Sequence, residues 1–159
     1  MNKVVIGIGD MHVSADPETT LITYALGSCL GLSLFDPVSG VGGLIHIALP
    51  DSAIARGQAD FNPLRFVDTG VPQLFRESYR LGAQKGRLEV KIAGCAQVAD
   101  EAGIFNIGKR NYAAARKLLW KNNVMIEAEH CGESYSRTMS LDLASGQVTL
   151  RIGSQEILL

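Results

Sequence analysis

The sequence has 159 residues, of which 47% are hydrophobic and 19% are charged, and its formal net charge is -1 at pH 7. This length suffices for a hydrophobic core, so we expect a single domain over residues 1–159. The balanced charge disfavours a non-specific nucleic-acid binder, which would carry a large basic excess. The apolar content is too high for a disordered chain.

The cysteines and the N-terminal residues indicate where the protein resides. The three cysteines are far apart and form no CxxC pair, which is typical of free thiols in a reducing compartment and not of a disulfide framework or a zinc ribbon. The first ten residues end in Asp10 and do not resemble a signal peptide. The uncharged run over residues 19–35 contains too many Thr, Ser and Gly residues for a membrane span. We therefore expect a cytoplasmic protein with no metal, no cofactor and no membrane insertion.

Apolar patterns in the first third of the chain predict strands. Residues 4–13 form a first β segment, and residues 30–35 and 41–49 form two strands of a hairpin. Asp36-Pro37-Val38-Ser39 has the residue types of a type I turn between them. Asp36 is the only formally charged residue between Thr19 and Pro50. This third of the chain is therefore expected to form the buried centre of the fold.

The remaining two thirds predict helices mixed with strands. Apolar spacing predicts a helix over residues 64–78, which is kinked at Pro72 or begins near Thr69, and a second helix over residues 111–122. Further strands are predicted over residues 88–93, 124–128, 138–143 and 147–152. Because strands and helices do not alternate strictly, the pattern favours an α+β fold with mixed sheets flanked by helices.

The predicted hairpin brings a thiol beside an imidazole. If residues 36–39 form the loop, Phe35 lies opposite Gly40 and Cys29 lies opposite His46. Directly opposite residues share a face, with Cβ atoms about 4.5–5.5 Å apart. Leu30, Leu32, Leu34, Val41 and Ile45 are then expected on the other face. A slip of one residue would move the thiol and the imidazole to opposite faces.

A cysteine next to a histidine indicates nucleophilic catalysis. A neighbouring imidazolium lowers the pKa of a thiol, and the thiolate is a strong nucleophile. The backbone amides of Gly27 and Ser28 are candidates for an oxyanion hole, and Thr23 is a candidate acceptor for the second imidazole nitrogen. The alternative is that Cys29 is only a small buried hydrophobic residue.

Three motifs resemble one family. Thr23-Tyr-Ala-Leu-Gly-Ser-Cys29, the 17-residue step to His46-Ile-Ala-Leu-Pro50, and Phe105-Asn-Ile-Gly-Lys-Arg-Asn111 are similar to the CheD-type chemoreceptor glutamine deamidases of bacterial chemotaxis. The resemblance covers nearly the whole chain and implies a sandwich fold related to the catalytic domain of the cytotoxic necrotizing factors. It also implies that Cys29, His46 and Thr23 form the catalytic set. Two segments depart from the family pattern, Ala93-Gly94-Cys95-Ala96 and Cys131-Gly132-Glu133-Ser134-Tyr135-Ser136-Arg137.

The same resemblance implies a reaction and its partners. The substrates would be selected glutamines on cytoplasmic helices of methyl-accepting chemotaxis receptors, converted to glutamate through a thioester on cysteine. Glutamyl methyl esters would pass through the same intermediate. The implied partners are a CheC-type phosphatase or a response regulator. The alternative function is a non-catalytic binding module for either of these two proteins, whereas a papain-like protease would place its histidine much farther from the cysteine.

Other polar residues have weaker interpretations. Arg110, Arg116 and Lys117 belong to a basic run that forms either a solvated helix face or a docking surface for acidic receptor helices. Phe105 and Asn106 either line the rim of the site or begin the helix. Cys95 and Cys131 have no histidine beside them except His130, which is adjacent to Cys131 in sequence and would point to the opposite side of a strand.

Overall fold

The computed structural model describes residues 2–53, 55–97 and 105–159, and within these ranges it has two five-stranded sheets and two α-helices. The strands are β1 (Asn2–Val5), β2 (Asp10–Ser14), β3 (Thr19–Leu26), β4 (Leu30–Phe35), β5 (Gly42–Ile47), β6 (Glu89–Gly94), β7 (Ile126–Cys131), β8 (Arg137–Asp142), β9 (Gln147–Ile152) and β10 (Gln155–Leu158). The helices are α1 (Val67–Arg80) and α2 (Ile107–Lys121), and short 3₁₀ turns occupy Pro63–Arg65 and Lys85–Arg87.

Both sheets are mixed, which confirms the α+β class. The first sheet has the strand order β1-β3-β8-β9-β10, and the second has the order β2-β5-β4-β6-β7. The β1–β3 and β6–β7 pairs are parallel, and the other pairs are antiparallel.

Two apolar layers hold the sheets and helices together. One layer lies between the second sheet and the helices and includes Leu32, Ile45 and Leu74. The other lies between the two sheets and includes Leu44 and Leu141. Strands β4 and β5 contribute to both layers, and every residue in them is buried. Burial on both faces accounts for the lack of charge in this segment and confirms that it forms the centre of the fold.

The N-terminal residues do not form the one β segment predicted over residues 4–13. Strand β1 pairs with β3 in the first sheet, whereas β2 pairs with β5 in the second. Gly9 lies between the two strands with a φ of +74°. A Cβ at Gly9 would lie 2.8 Å from Arg65 Cγ, and the Asn62 amide donates to the Gly9 carbonyl at 2.9 Å. A glycine is therefore required where the chain crosses between the sheets.

The helix starts differ from the predicted ones: α1 begins between residue 64 and Thr69, the two predicted starts, and α2 begins four residues before residue 111. Helix α1 begins at Val67 and contains Pro72, so the start predicted near Thr69 is wrong. Helix α2 begins at Ile107, preceded by Asn106 with a φ of +48°, and it buries Asn111 among its apolar residues. Neither of these helices has the length and hydropathy needed to cross a membrane.

The β4–β5 hairpin has a different register from the predicted one. Phe35 pairs with Gly42 and not with Gly40, and the Asp36 N–H donates to the Val41 carbonyl at 2.8 Å. The loop is therefore residues 37–40, four residues as predicted but displaced by one position. Asp36 extends the strand because its buried carboxylate binds Arg87 as well as the loop amides of Val38 and Ser39.

The displaced loop moves each cross-strand partner by two residues. His46 pairs with Gly31, and the β4–β5 ladder ends at the Leu30–Ile47 pair, before Cys29. The prediction that Cys29 lies directly opposite His46 is therefore wrong. A shift of two residues keeps each side chain on its face, and Cys29 packs in the layer between the two sheets, where His46 contacts Thr23.

The buried Asp36 carboxylate should make the stability of the fold sensitive to acid. The Arg87 guanidinium, 2.8 Å from the carboxylate, and the amides of Gln84, Val38 and Ser39 hold the pKa of Asp36 well below its usual range. Because the folded-state pKa is the lower one, the stabilisation is present above about pH 4, the ordinary carboxyl pKa, and is lost as the pH falls further. We expect the Asp36→Asn variant to unfold at lower urea concentration than wild type at pH 6, with the gap shrinking at pH 3. A gap that is equal at both pH values would contradict this assignment.

Candidate functional site

The centre of the candidate site is a hydrogen-bonded pair between the two sheets. The Thr23 hydroxyl lies 2.6 Å from Nδ1 of His46 and donates to the Ile6 carbonyl at 2.7 Å. A hydroxyl has one proton, and the Thr23 hydroxyl donates it to the Ile6 carbonyl. Nδ1 of His46 is therefore the donor to Thr23, and Nε2 carries the lone pair of the neutral ring.

Burial keeps this imidazole neutral. His46 is 1% exposed, and burial lowers its pKa to about 4. Its Nε2 atom is buried and has no hydrogen-bond partner among the described residues. The ring is thus held in one tautomer with an unprotonated nitrogen available as a base at neutral pH.

Cys29 lies in a short segment between β3 and β4. Strand β3 has a register irregularity between Thr23 and Leu26, where Ala25 has a φ of +57°. The Cys29 carbonyl accepts from Cys95 N–H at 2.8 Å, and the half-buried side chain packs in the layer between the sheets, where His46 also lies. The bulge and this ladder bond fix the entry of the cysteine segment into β4.

The thiol and the imidazole are both neutral at rest. Burial raises the pKa of the Cys29 thiol, and the positive charge of Arg65 partly opposes this rise. The expectation that an imidazolium lowers the thiol pKa is therefore wrong, because burial disfavours both charged forms. No hydrogen bond joins Cys29 to His46 in the described part of the chain, so the proton is not yet shared. Such contacts often tighten only when substrate binds.

The predicted oxyanion donors lie in the same segment. The Gly27 carbonyl accepts from Ala96 N–H at 2.8 Å, and the Gly27 N–H donates to the Ala25 carbonyl at 3.0 Å. Among the described residues, none accepts a hydrogen bond from the backbone N–H of Ser28 or Cys29. These two amides, and not that of Gly27, are therefore available as donors to an oxyanion.

Asn111 of α2 joins the cysteine segment to the histidine strand. Its side-chain amide donates to the Ser28 carbonyl at 2.9 Å and to the Ala48 carbonyl at 3.1 Å, and the residue is fully buried. Ser28 precedes Cys29, and Ala48 lies two residues beyond His46. A single side chain therefore fixes the spacing of the two segments that carry the thiol and the imidazole.

We expect Asn111→Ala to destabilise the fold by about 1–3 kcal/mol, because two buried carbonyls lose their donor. Asn122→Ala is the matched control, since that amide donates to the Leu118 carbonyl at the exposed end of the same helix. Urea unfolding of the two variants measures the difference. Equal midpoints for both would show that the Asn111 contacts contribute nothing.

The remaining predicted residues divide into two groups around α2. Arg110 and Lys117 line a groove of about 440 Å³ together with Lys121 and Pro50. Arg116 lies apart from this groove, because its guanidinium binds the Tyr112 hydroxyl at 3.0 Å, and this hydroxyl donates to Glu129. The basic residues that were predicted to form one surface therefore lie on two separate surfaces.

Phe105 and Asn106 lie just before α2. Phe105 is 63% exposed, and Asn106 lines a small cavity with Cys95 and Gly108. A Cβ at Gly108 would collide with the carbonyls of Cys95 and Ala96, so the helix start packs directly on that segment. The described residues contain no group of three or more His, Cys, Asp and Glu residues arranged to hold a metal ion.

Arg65 and Asn111 have site roles that the sequence pattern did not assign. Arg65 lies 36 residues beyond Cys29 in the chain, and only the packing of Pro63–Arg65 against Gly9 brings its charge near the thiol. The signal available for Asn111 was one polar residue on the apolar face of a helix.

Comparisons with known proteins identify the family. A family model described as CheD chemotactic sensory transduction matches residues 48–152. A protein of Syntrophus aciditrophicus named probable chemoreceptor glutamine deamidase CheD 1 is 44% identical over 151 residues, covering 95% of this chain and 94% of its own. Proteins with the same kind of name from Solibacter usitatus and Anaeromyxobacter dehalogenans are 43% and 44% identical, over 95% and 98% of this chain and 89% and 98% of their own.

A solved structure from Neisseria meningitidis, of the family model DUF152, matches with a TM-score of 0.48 and 11% identity, over 83% of this chain and 63% of that chain. Both the family model and the relatives cover most of the chain, and the relatives' alignments extend over all but a few residues of it. The chain belongs to the CheD family.

Proposed function

We propose that this protein is a protein-glutamine deamidase that acts on chemoreceptors, with Cys29 as nucleophile, His46 as general base and Thr23 as the residue that orients His46. The observation that carries the proposal is Nε2 of His46, which is buried and has no hydrogen-bond partner among the residues that the structure describes. Thr23 fixes the tautomer of this ring, which faces the same layer as Cys29. The names of the relatives supply the substrate class.

The first half of the reaction forms a thioester. Nε2 of His46 takes the proton of the Cys29 thiol as the sulfur attacks the carboxamide carbon of the glutamine. The carbonyl oxygen becomes an oxyanion, which the backbone N–H groups of Ser28 and Cys29 stabilise. The imidazolium then gives its proton to the departing nitrogen, and ammonia leaves. His46 returns to its neutral form, which its buried position favours.

The second half hydrolyses the thioester. His46 removes a proton from water, the hydroxide adds to the thioester carbon, and the thiolate leaves and recovers the proton. The product is glutamate. A glutamyl methyl ester enters the same path with methanol as the leaving group, so we propose esterase activity as a second activity of the same site.

The basic groove gives a docking hypothesis for the receptor. Three basic residues, Arg110, Lys117 and Lys121, line it together with two acidic ones, Asp51 and Asp68, of which Asp68 is already paired with Arg56. Pro50 places the groove at the C-terminal end of the β5 segment that carries His46. Acidic receptor helices would be attracted to these charges over a distance that salt shortens.

We expect Lys117→Glu to weaken receptor binding. The loss should be larger at about 0.01 M salt, where the Debye length is about 30 Å, than at about 0.15 M, where it is about 8 Å. Arg116→Glu is the matched control, because Tyr112 and Glu129 already engage that guanidinium. Fluorescence anisotropy of a labelled receptor fragment measures the affinity of the groove variant and of the control. An equal loss in the control would assign the effect to net charge and not to the groove.

Incubation with a receptor cytoplasmic fragment tests the activity. Deamidation replaces an amide NH₂ by OH, so mass spectrometry should find individual glutamines converted to glutamate, with an equal yield of ammonia. Binding of the fragment without conversion, repeated in the presence of a CheC-type phosphatase or a response regulator, would instead favour the non-catalytic binding module.

A further inference from the structure

A second thiol site lies on the helix side of the second sheet. Cys131 ends β7 beside Gly94 of β6, and the Gly132 N–H donates to the Gly94 carbonyl at 3.0 Å. Cys95 follows Gly94 with a φ of +54°, which turns the chain out of the strand. Both cysteines pack in the layer between the sheet and the helices. The topology thus brings together two thiols that are far apart in sequence.

The two thiols affect each other's ionisation. Because the two thiols are neighbours, each perturbs the other: the pKa of Cys95 is raised, chiefly by Cys131, and the pKa of Cys131 is lowered, chiefly by Cys95. Glu129 acts against ionisation of Cys131, and Arg137 favours it. Of the two, the half-buried Cys131 is therefore the better thiolate, and the buried Cys95 stays protonated.

Arg137 supplies an unbalanced positive charge beside this pair. The residue is 1% exposed and forms no ion pair within the described residues. Its Nε donates to Nδ1 of His130 at 3.0 Å and its Nη1 to the Gly94 carbonyl at 3.2 Å, whereas Nη2 is buried and has no partner in the described part of the chain. A buried cation without a counter-charge stabilises an anion nearby, and a Cys131 thiolate is such an anion.

We propose that Cys131 is an oxidation site for hydroperoxides and that Cys95 resolves the oxidised form as an intramolecular disulfide. The Cys131 thiolate attacks one oxygen of hydrogen peroxide, the O–O bond breaks, and hydroxide leaves, so Cys131 becomes a sulfenic acid. The Cys95 sulfur then attacks the Cys131 sulfur, the S–O bond breaks, and water leaves with the Cys95 proton. Two thiols lose two electrons in total, and the peroxide accepts them.

The site is accessible to a small oxidant. The Cys131 thiol, where the peroxide reacts, is only half-buried. On the Cys95 side of the pair, Cys95, Gly132 and Glu133 line a cavity of about 120 Å³, well above the roughly 10–15 Å³ that one water molecule requires. The Cys95 N–H also donates to the Cys29 carbonyl at 2.8 Å. A disulfide at Cys95 would therefore form at a residue that is hydrogen-bonded to the Cys29 segment.

Peroxide treatment followed by alkylation tests the proposal. Reduced protein is exposed to hydrogen peroxide, alkylated with iodoacetamide, digested without reductant and analysed by mass spectrometry. We expect Cys95 and Cys131 to lose alkylation together, to appear as one linked peptide pair, and to recover with dithiothreitol. In Cys95→Ser, Cys131 should accumulate as a sulfenic acid that dimedone traps, whereas in Cys131→Ser, Cys95 should remain alkylated.

The Cys29→Ala variant separates this site from the proposed catalytic thiol. We expect it to form the Cys95–Cys131 disulfide at the wild-type rate, since Cys29 takes no part in either step. Full alkylation of Cys95 and Cys131 after a peroxide dose that oxidises Cys29, or a disulfide that contains Cys29, would overturn the proposal. Neither outcome bears on deamidation by the reduced protein.

Discussion

Replacing Cys29 with alanine is expected to reduce receptor deamidation to the background rate. The proposed reaction passes through a bond from the Cys29 sulfur to the glutamine carbon, and alanine offers no atom in its place. Mass spectrometry of the receptor fragment and ammonia release give two independent readouts. Added hydroxylamine should intercept the thioester of the wild-type protein and yield a glutamyl hydroxamate, which the variant should not form.

Cys131→Ser is the matched control for this loss. It also removes a half-buried thiol, but its side chain lies in the layer beside the helices and not between the sheets. Under reducing conditions it should deamidate at the wild-type rate. Substantial deamidation by Cys29→Ala, with unchanged hydroxamate yield, would show that another group attacks the amide.

The centre of the fold was predictable from the sequence because its pattern is strong. Strands β4 and β5 are buried on both faces, which removes charge from the sequence and leaves a readable run between turn residues. The boundary between β1 and β2 was not predictable, since Gly9 changes the sheet without interrupting the apolar pattern. Strands β3 and β10 were not predicted. Strand β3 lies in an uncharged stretch in which we found no clear apolar period, and β10 is an edge strand of only four residues.

The sequence predicted the face of the hairpin on which His46 lies but not its cross-strand partner, which is Gly31 and not Cys29. Pattern and turn residues located the hairpin, and the displacement by one residue came from the buried Asp36–Arg87 contact, which joins residues far apart in sequence. A two-residue change of partner preserves the face, so the side chains of Cys29 and His46 both face the layer between the sheets. The Arg65 charge depends on tertiary packing alone, and the only local signal for the Asn111 bridge is a polar residue on the apolar face of a helix.

The neutral resting state of the site predicts an unusual pH dependence. The base must be unprotonated, and burial lowers the pKa of His46 to about 4. Protonation therefore stops the reaction only below that pH, and we expect the acid limb of kcat/KM near pH 4 and not near 6.5, the ordinary histidine value. Circular dichroism at each pH separates this effect from acid unfolding, because protonation of His46 alone leaves the folded spectrum unchanged. An acid limb near pH 6.5 would mean that the imidazole is solvated in the working enzyme.

His46→Ala should lower kcat by about 100- to 10,000-fold, the usual contribution of a general base, and should abolish the acid limb. Thr23→Val tests the orienting role separately, because it keeps the side-chain volume but removes the oxygen that accepts from Nδ1 and donates to Ile6. We expect a smaller fall in kcat than for His46→Ala, little change in KM, and restoration by Thr23→Ser, which keeps the hydroxyl. Equal activity of the valine and serine variants would remove the tautomer argument, because the hydroxyl would then have no part in setting the free nitrogen of His46.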